Sequence, residues 1–293
     1  MIAPHPVCLF NPKTELGEGP MWHAPEQAFY FVDIKGRKIH RCDPEGGNQA
    51  SWSVPGQPGF IVPAGHGRFV CGIGRALYLF IPASETFTHL CEVEGALPGN
   101  RLNDAHVDAR GRLWFGSMDN HETAPSGSLY RLGADGRALS QESGIIITNG
   151  PACSPDGRTF YHTDTLGKTV HAYDLDNSGS LSRKRHFATI GNGWPDGSTV
   201  DAEGCVWVAL FGGRRVERYS PAGELLDTIY FPCSNITKIA FGGADLRTVL
   251  VTTAWKGLSP AQRAEEPLAG ALFTFRAPVP GLPQHLLTTG VSL

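Results

Sequence analysis

One phrase recurs along this chain of 293 residues and limits what it can fold into. In its first form Asn103-Asp104 opens the phrase. Asp108-Ala109-Arg110-Gly111 makes a turn, and Leu113-Trp114-Phe115-Gly116 follows as an apolar strand. Its second form runs from Asn149-Gly150 through Ser154-Pro155-Asp156-Gly157 to Thr159-Phe160-Tyr161-His162. The third runs from Asp196-Gly197 through Asp201-Ala202-Glu203-Gly204 to Cys205-Val206-Trp207-Val208. Recurrence of a whole turn-and-strand phrase at such a period marks a repeat architecture, in which each unit buries its apolar face only against its neighbours.

The rest of the chain divides in the same way. Six units of about 45 residues can be marked off, each a run of four short strands joined by tight Asp-, Pro- and Gly-containing turns. Apolar residues alternate with a period of two, so helices should be few. This pattern predicts an all-β fold, a six-bladed β-propeller with four-stranded antiparallel blades around a central channel, over 1–293 as a single domain. A β-sandwich would also use Asp-x-x-Gly turns, but it would not repeat the whole phrase. Val7-Cys8-Leu9-Phe10 is left over before the first unit. We expect it to pair with the last blade and close the ring, because an open propeller would leave sheet edges unpaired.

Composition narrows the function classes. Hydrophobic residues make up 41% of the chain and charged residues 18%, so a large core is available. The formal net charge is −3 and no basic run occurs, which argues against nucleic acid and anionic membranes as partners. No stretch approaches the ~18 apolar residues of a membrane span, and no signal peptide is evident at the N-terminus. The seven cysteines form no Cys-x-x-Cys pair, so buried thiols in a cytoplasmic protein are expected rather than a zinc site or a disulfide framework.

The repeat also points to a site. The residues that open the six units are Glu18, Phe60, Asn103, Asn149, Asp196 and Thr237, spaced 42, 43, 46, 47 and 41 apart. In a propeller, equivalent positions of successive blades ring the channel mouth. Glu18, Asn103, Asn149 and Asp196 would therefore converge, offering two carboxylates and two amides. Converging carboxylates repel unless a cation lies between them. Oxygen ligands of this kind suit a hard divalent ion such as Ca²⁺, Mg²⁺ or Mn²⁺, with Fe²⁺ also accommodated. Alternatively, Asn149-Gly150 and Asp196-Gly197 could simply be turn dipeptides.

Several phrases together resemble the SMP-30/gluconolactonase/regucalcin family: Leu-Gly-Glu-Gly-Pro at 16–20, Arg-x-Asn-Asp at 101–104, Gly-Arg-Leu-Trp-Phe-Gly-Ser-Met at 111–118, Gly-Ser-Leu-Tyr-Arg at 127–131, Asn-Gly-Pro at 149–151, Ser-Pro-Asp-Gly at 154–157 and Pro-Asp-Gly at 195–197. They occur in order over nearly the whole chain, and the match is closest to bacterial sugar lactonases of the xylonolactonase type. The resemblance implies Glu18, Asn149 and Asp196 as ligands to one divalent metal, whether Ca, Mg, Mn, Zn or Fe(II). It implies Arg101 and Asn103 as substrate contacts, with Glu122 or Asp119 as a further acidic one.

The function expected is metal-dependent hydrolysis of a pentono- or hexonolactone to the aldonic acid. Asp196 would be the base and Asp104 the second candidate. Promiscuous phosphotriester or ester hydrolysis, or a calcium-binding scaffold without catalysis, are the competing expectations. No Gly-x-Ser-x-Gly elbow supports a serine nucleophile. His106 and His162 read as packed or surface residues, and Trp114 and Trp207 as blade core. Trp194 and Phe60 are candidates to pack against a sugar ring at a mouth expected to be polar. The sugar lactone is the one partner expected, of a protein taken to be monomeric.

Overall fold

The computed structural model describes residues 5–290 and is built of six four-stranded antiparallel sheets arranged in a ring, a six-bladed β-propeller. The innermost strands are Gly17–His23, Pro58–Pro63, Asn100–Val107, Thr148–Cys153, Trp194–Val200 and Asn235–Gly242. Each packs against the next, and the sixth packs back on the first. Nearly every residue of these strands is buried, whereas outer strands such as Leu225–Tyr230 are largely exposed. The gradient follows from the architecture, since an inner strand is covered by blade and channel together.

The leftover strand closes the ring as expected. Val7–Phe10 pairs antiparallel with Leu272–Arg276, with Val7 opposite Thr274 and Phe10 opposite Leu272. It thereby supplies the fourth strand of the last blade. Leu9 and Phe10 pack against the cluster of Trp22, Phe31, Leu250 and Leu272 that joins the last blade to the first. Helix is scarce: a single α-helix, Pro260–Glu265, is found among the described residues, begun by a reciprocal cap between Ser259 and Gln262.

The recurring Asp and Trp of the repeat turn out to be one device. The Asp108 carboxylate accepts from the backbone N–H groups of Arg110 (2.9 Å) and Arg112 (3.1 Å), fixing the turn. It also accepts from Arg112 Nε (2.7 Å) and the indole Nε1 of Trp114 (2.9 Å). Asp201 repeats this with Glu203, Cys205, Arg218 and Trp207. One carboxylate thus sets the turn and satisfies a buried indole, so the tryptophan can serve as blade core without an unpaired donor.

All six innermost strands slip register at the same place. The shift falls between Glu18 and Met21, Pro58 and Phe60, Leu102 and Ala105, Asn149 and Ala152, Pro195 and Ser198, and Ile236 and Lys238. Bulges re-aim side chains and commonly lie beside functional sites. Gly19 and Gly150, the residues after Glu18 and Asn149, take positive φ here (51° and 55°). A side chain at Gly150 would also strike the Ser198 hydroxyl. The Asn149-Gly150 and Asp196-Gly197 pairs are therefore parts of bulged channel strands, not hairpin turns.

Candidate active site

The bulges bring the ring residues to one mouth of the channel. Glu18, Arg101, Asn103, Glu122, Asn149 and Asp196 all line a single cavity of about 240 Å³. Residues one to four positions further along the inner strands line a second, smaller cavity of about 60 Å³ deeper in the channel. Phe60 belongs there and not at the mouth, packed 5.9 Å from Phe115. Its expected role against a sugar ring is corrected: blade two contributes only core at this level.

The amides form a chain of hydrogen bonds that fixes their orientation. Arg101 Nη1 donates to Asn103 Oδ1 (2.6 Å) and to the Leu102 carbonyl (3.2 Å). Asn103 Nδ2 donates to Asn149 Oδ1 (2.9 Å) and to the Thr148 carbonyl (2.8 Å). Asn149 Nδ2 donates to Thr165 Oγ1 (3.0 Å). Arg101 Nε is buried with no partner, an unusual state for a guanidinium donor and one that a ligand oxygen would relieve.

The two carboxyls are held differently. Glu18 and Asp196 lie within hydrogen-bond reach of each other, and each is 6% exposed. Among the described residues no basic nitrogen comes within ion-pair distance of either; the neighbouring lysines are engaged elsewhere, Lys238 with Asp104 and Lys256 with Glu122. Burial first, and then the charge of Asp104, push Glu18 up to about 7. Burial, then the Glu18 and Asp104 charges, hold Asp196 well above the usual carboxylate range. Two buried carboxyls side by side, next to an amide oxygen, fit a divalent cation, which would satisfy both charges. No trio of His, Cys, Asp or Glu gathers among the described residues; the oxygen that would complete such a set here is that of the Asn149 amide.

The structure separates the remaining candidates. Asp104 is committed: it pairs with Lys238 and accepts from the backbone N–H groups of Ala105 (2.8 Å) and Gly150 (3.0 Å). It faces the deeper cavity, so it is a brace under the site, not a second base. Asp119 is also committed, accepting from the backbone N–H groups of His121, Thr123 and Ala124 and from the Thr123 hydroxyl. That leaves Glu122 as the acidic group on the cavity wall. His106 is held neutral, pulled down to about 4 by burial and then by Lys238, and His162 is buried.

The mouth is less polar than expected. Leu16, Met118, Ile147, Leu166, Trp194 and Phe211 supply an apolar part of its lining, and Thr165 and Lys256 complete it. Trp194 is 41% exposed, with Lys168 lying 5.2 Å over its ring. Lys256, Thr165 and Phe211 were missed in the sequence. Their signal was the repeat itself, since residues at or just past the end of the second strand of a blade return to the same mouth as the openers of the first.

A closed propeller whose bulged inner strands bring oxygen-bearing side chains to one end of its channel defines a class of protein built around a central site. The chain belongs to the SMP-30/gluconolactonase/LRE-like family, which it matches over residues 16–255. It is 35% identical to a 6-deoxy-6-sulfogluconolactonase of Pseudomonas putida, over 95% of this chain and 97% of that protein. It is likewise 35% identical to an L-arabinolactonase of Azospirillum brasilense, over 90% and 89%. A calcium-binding regucalcin from Agrobacterium tumefaciens str. C58 superposes with a TM-score of 0.92 at 28% identity, covering 96% of each chain.

Proposed function

We propose that this protein hydrolyses the lactone of a sugar acid, a pentono- or hexonolactone, to the open-chain aldonate, with Glu18, Asn149 and Asp196 holding one divalent cation. The observation that carries this reading is the buried Glu18–Asp196 pair, free of basic partners, in one cavity with the donors of Arg101 and Asn103. The lactonases among the relatives support the reaction class, and the calcium-binding relative supports the cation. The all-oxygen donor set favours Ca²⁺, Mg²⁺ or Mn²⁺ and also accommodates Zn²⁺ or Fe²⁺. When bound, the cation supplies Lewis-acid polarisation of the lactone carbonyl.

The chain's own groups do the rest. Trp194, Leu166 and Phe211 offer an apolar wall to the C–H face of the ring. Arg101, with its unpartnered Nε, donates to oxygen and stabilises the charge that grows on the carbonyl oxygen as water adds. Asn103, held by Arg101 and Asn149, orients the substrate hydroxyls. Asp196 takes the proton of the attacking water, a role suited to a carboxylate whose proton affinity burial has raised. The ring C–O bond then breaks, Asp196 returns its proton to the departing ring oxygen, which becomes a hydroxyl, and the carboxylic acid formed releases one proton.

That proton gives the test. A panel of sugar lactones with a paraoxon-type ester, followed by pH indicator and corrected for spontaneous opening, should show lactone hydrolysis well above buffer. EDTA should remove it and a divalent ion restore it. Hydrolysis of the phosphotriester alone, or a protein inert toward every lactone after metal loading, would contradict the proposal.

A further inference from the structure

We propose that the lactone this site takes carries an acidic group, a sulfonate, phosphate or carboxylate, on the carbon farthest from its carbonyl, and that Lys35 holds that group. The inference rests on the lactonase reading and adds a substrate class to it.

Lys35 lies just past the second strand of the first blade, Ala28–Asp33, behind the cavity lining and close to its residues Arg101, Glu122 and Lys256. Its ammonium meets two amide oxygens, Asn120 Oδ1 at 3.1 Å and Gln57 Oε1 at 3.4 Å. Among the described residues no carboxylate stands within ion-pair distance of it, although it is partly buried. Asn120 belongs to the loop that carries Glu122, so Lys35 is tied to the wall of the cavity.

The charges around it do not balance. Lys35 feels two other cations, Arg101 and Lys256, and two carboxylates, Glu122 and Glu15. Glu122 is already engaged by Lys256. Neither Arg101 nor Lys35 makes an ion pair among the described residues, so positive charge without a bound counter-ion remains at this rim. Glu18 and Asp196 could not offset it, because a divalent cation would already neutralise them. Burial first, then Arg101 and Lys256, weaken the hold of Lys35 on its proton, as expected of a cation short of counter-charge. The wall formed by Leu166, Trp194 and Phe211 is apolar and brings no carboxylate to offset that charge. A substrate with an anion at its tail would meet that charge while its carbonyl faced Asp196 and Arg101.

The test compares a neutral hexonolactone with the same lactone bearing a sulfonate, a phosphate or a carboxylate on its last carbon. With wild-type protein kcat/KM for at least one acidic lactone should exceed that for the neutral one by about tenfold, and the acid preferred identifies the anion. In Lys35→Gln the acidic-to-neutral ratio should fall about tenfold, mostly through KM, and Lys35→Arg should retain it. A wild-type ratio at or below unity for all three acids, or a ratio that Lys35→Gln leaves untouched, would overturn the inference while leaving the lactonase reading intact. No hydrolysis of any lactone, neutral or acidic, would bring down both.

Discussion

Asp196→Asn protein should hydrolyse lactones about a thousandfold or more slowly than wild type, near the spontaneous rate. The amide keeps the shape of the carboxylate but removes its basicity and one of the two charges facing the cation. Loss of a general base alone costs about a hundredfold to ten-thousandfold, and a weakened metal site adds to it. Stability moves the other way. Burial and the Glu18 charge raise the proton affinity of Asp196 in the folded state. Its ionisation therefore opposes folding as pH rises above the ordinary carboxylate range. At pH 8, metal-free Asp196→Asn should melt no lower than metal-free wild type. Low activity with a preserved melting temperature separates lost chemistry from lost fold. Full activity in this variant would sink the assignment of the base.

Truncation through Phe10 lowers the melting temperature by about 10 °C, the shift expected for about 3–4 kcal/mol in a chain of this size. The missing strand takes with it the pairing to Leu272–Arg276 and the packing of Leu9 and Phe10 on Trp22, Phe31, Leu250 and Leu272. It also leaves Leu272–Arg276 as an unpaired sheet edge, so the truncated protein should aggregate on heating. The loss stays bounded because Thr14 still fastens the incoming chain. Its hydroxyl donates to the carbonyls of Thr253 (3.0 Å) and Gly270 (2.9 Å). A truncated protein that melts with wild type would show that the ring closes without this strand.

The fold was readable in the chain because a propeller writes its architecture as a period. The openers Glu18, Asn103, Asn149 and Asp196 were found by counting, and the closing strand was found as the remainder. What counting could not supply was the sense of the bulges. Counting put Phe60 level with Glu18, yet Phe60 lies after the slip of its strand, where Glu18 lies before its own, so Phe60 joins the core beside Phe115. Asp104 and Asp119 have the composition of site residues, but local hydrogen bonds consume both. Lys256 and Thr165 sit where second strands end, a second ring of positions that the same period could have exposed. The apolar half of the mouth was hidden because Leu166 comes from the fourth blade and the cross-strand partners Trp194 and Phe211 from the fifth, and they meet only in three dimensions.

The reading depends on a single cation being shared by groups from three blades. Mn²⁺ titration of the metal-free protein, by calorimetry at several pH values, tests this most directly. Glu18 holds its proton up to about 7, and the cation must displace it. Binding should therefore tighten as pH rises through that value and release protons as it occurs. One Mn²⁺ per chain is predicted, bound more tightly at pH 8 than at pH 6, and at least tenfold more weakly in Glu18→Gln. Failure of the wild-type protein to bind Mn²⁺, Ca²⁺ or Mg²⁺ stoichiometrically, or binding that Glu18→Gln leaves unchanged, would contradict it.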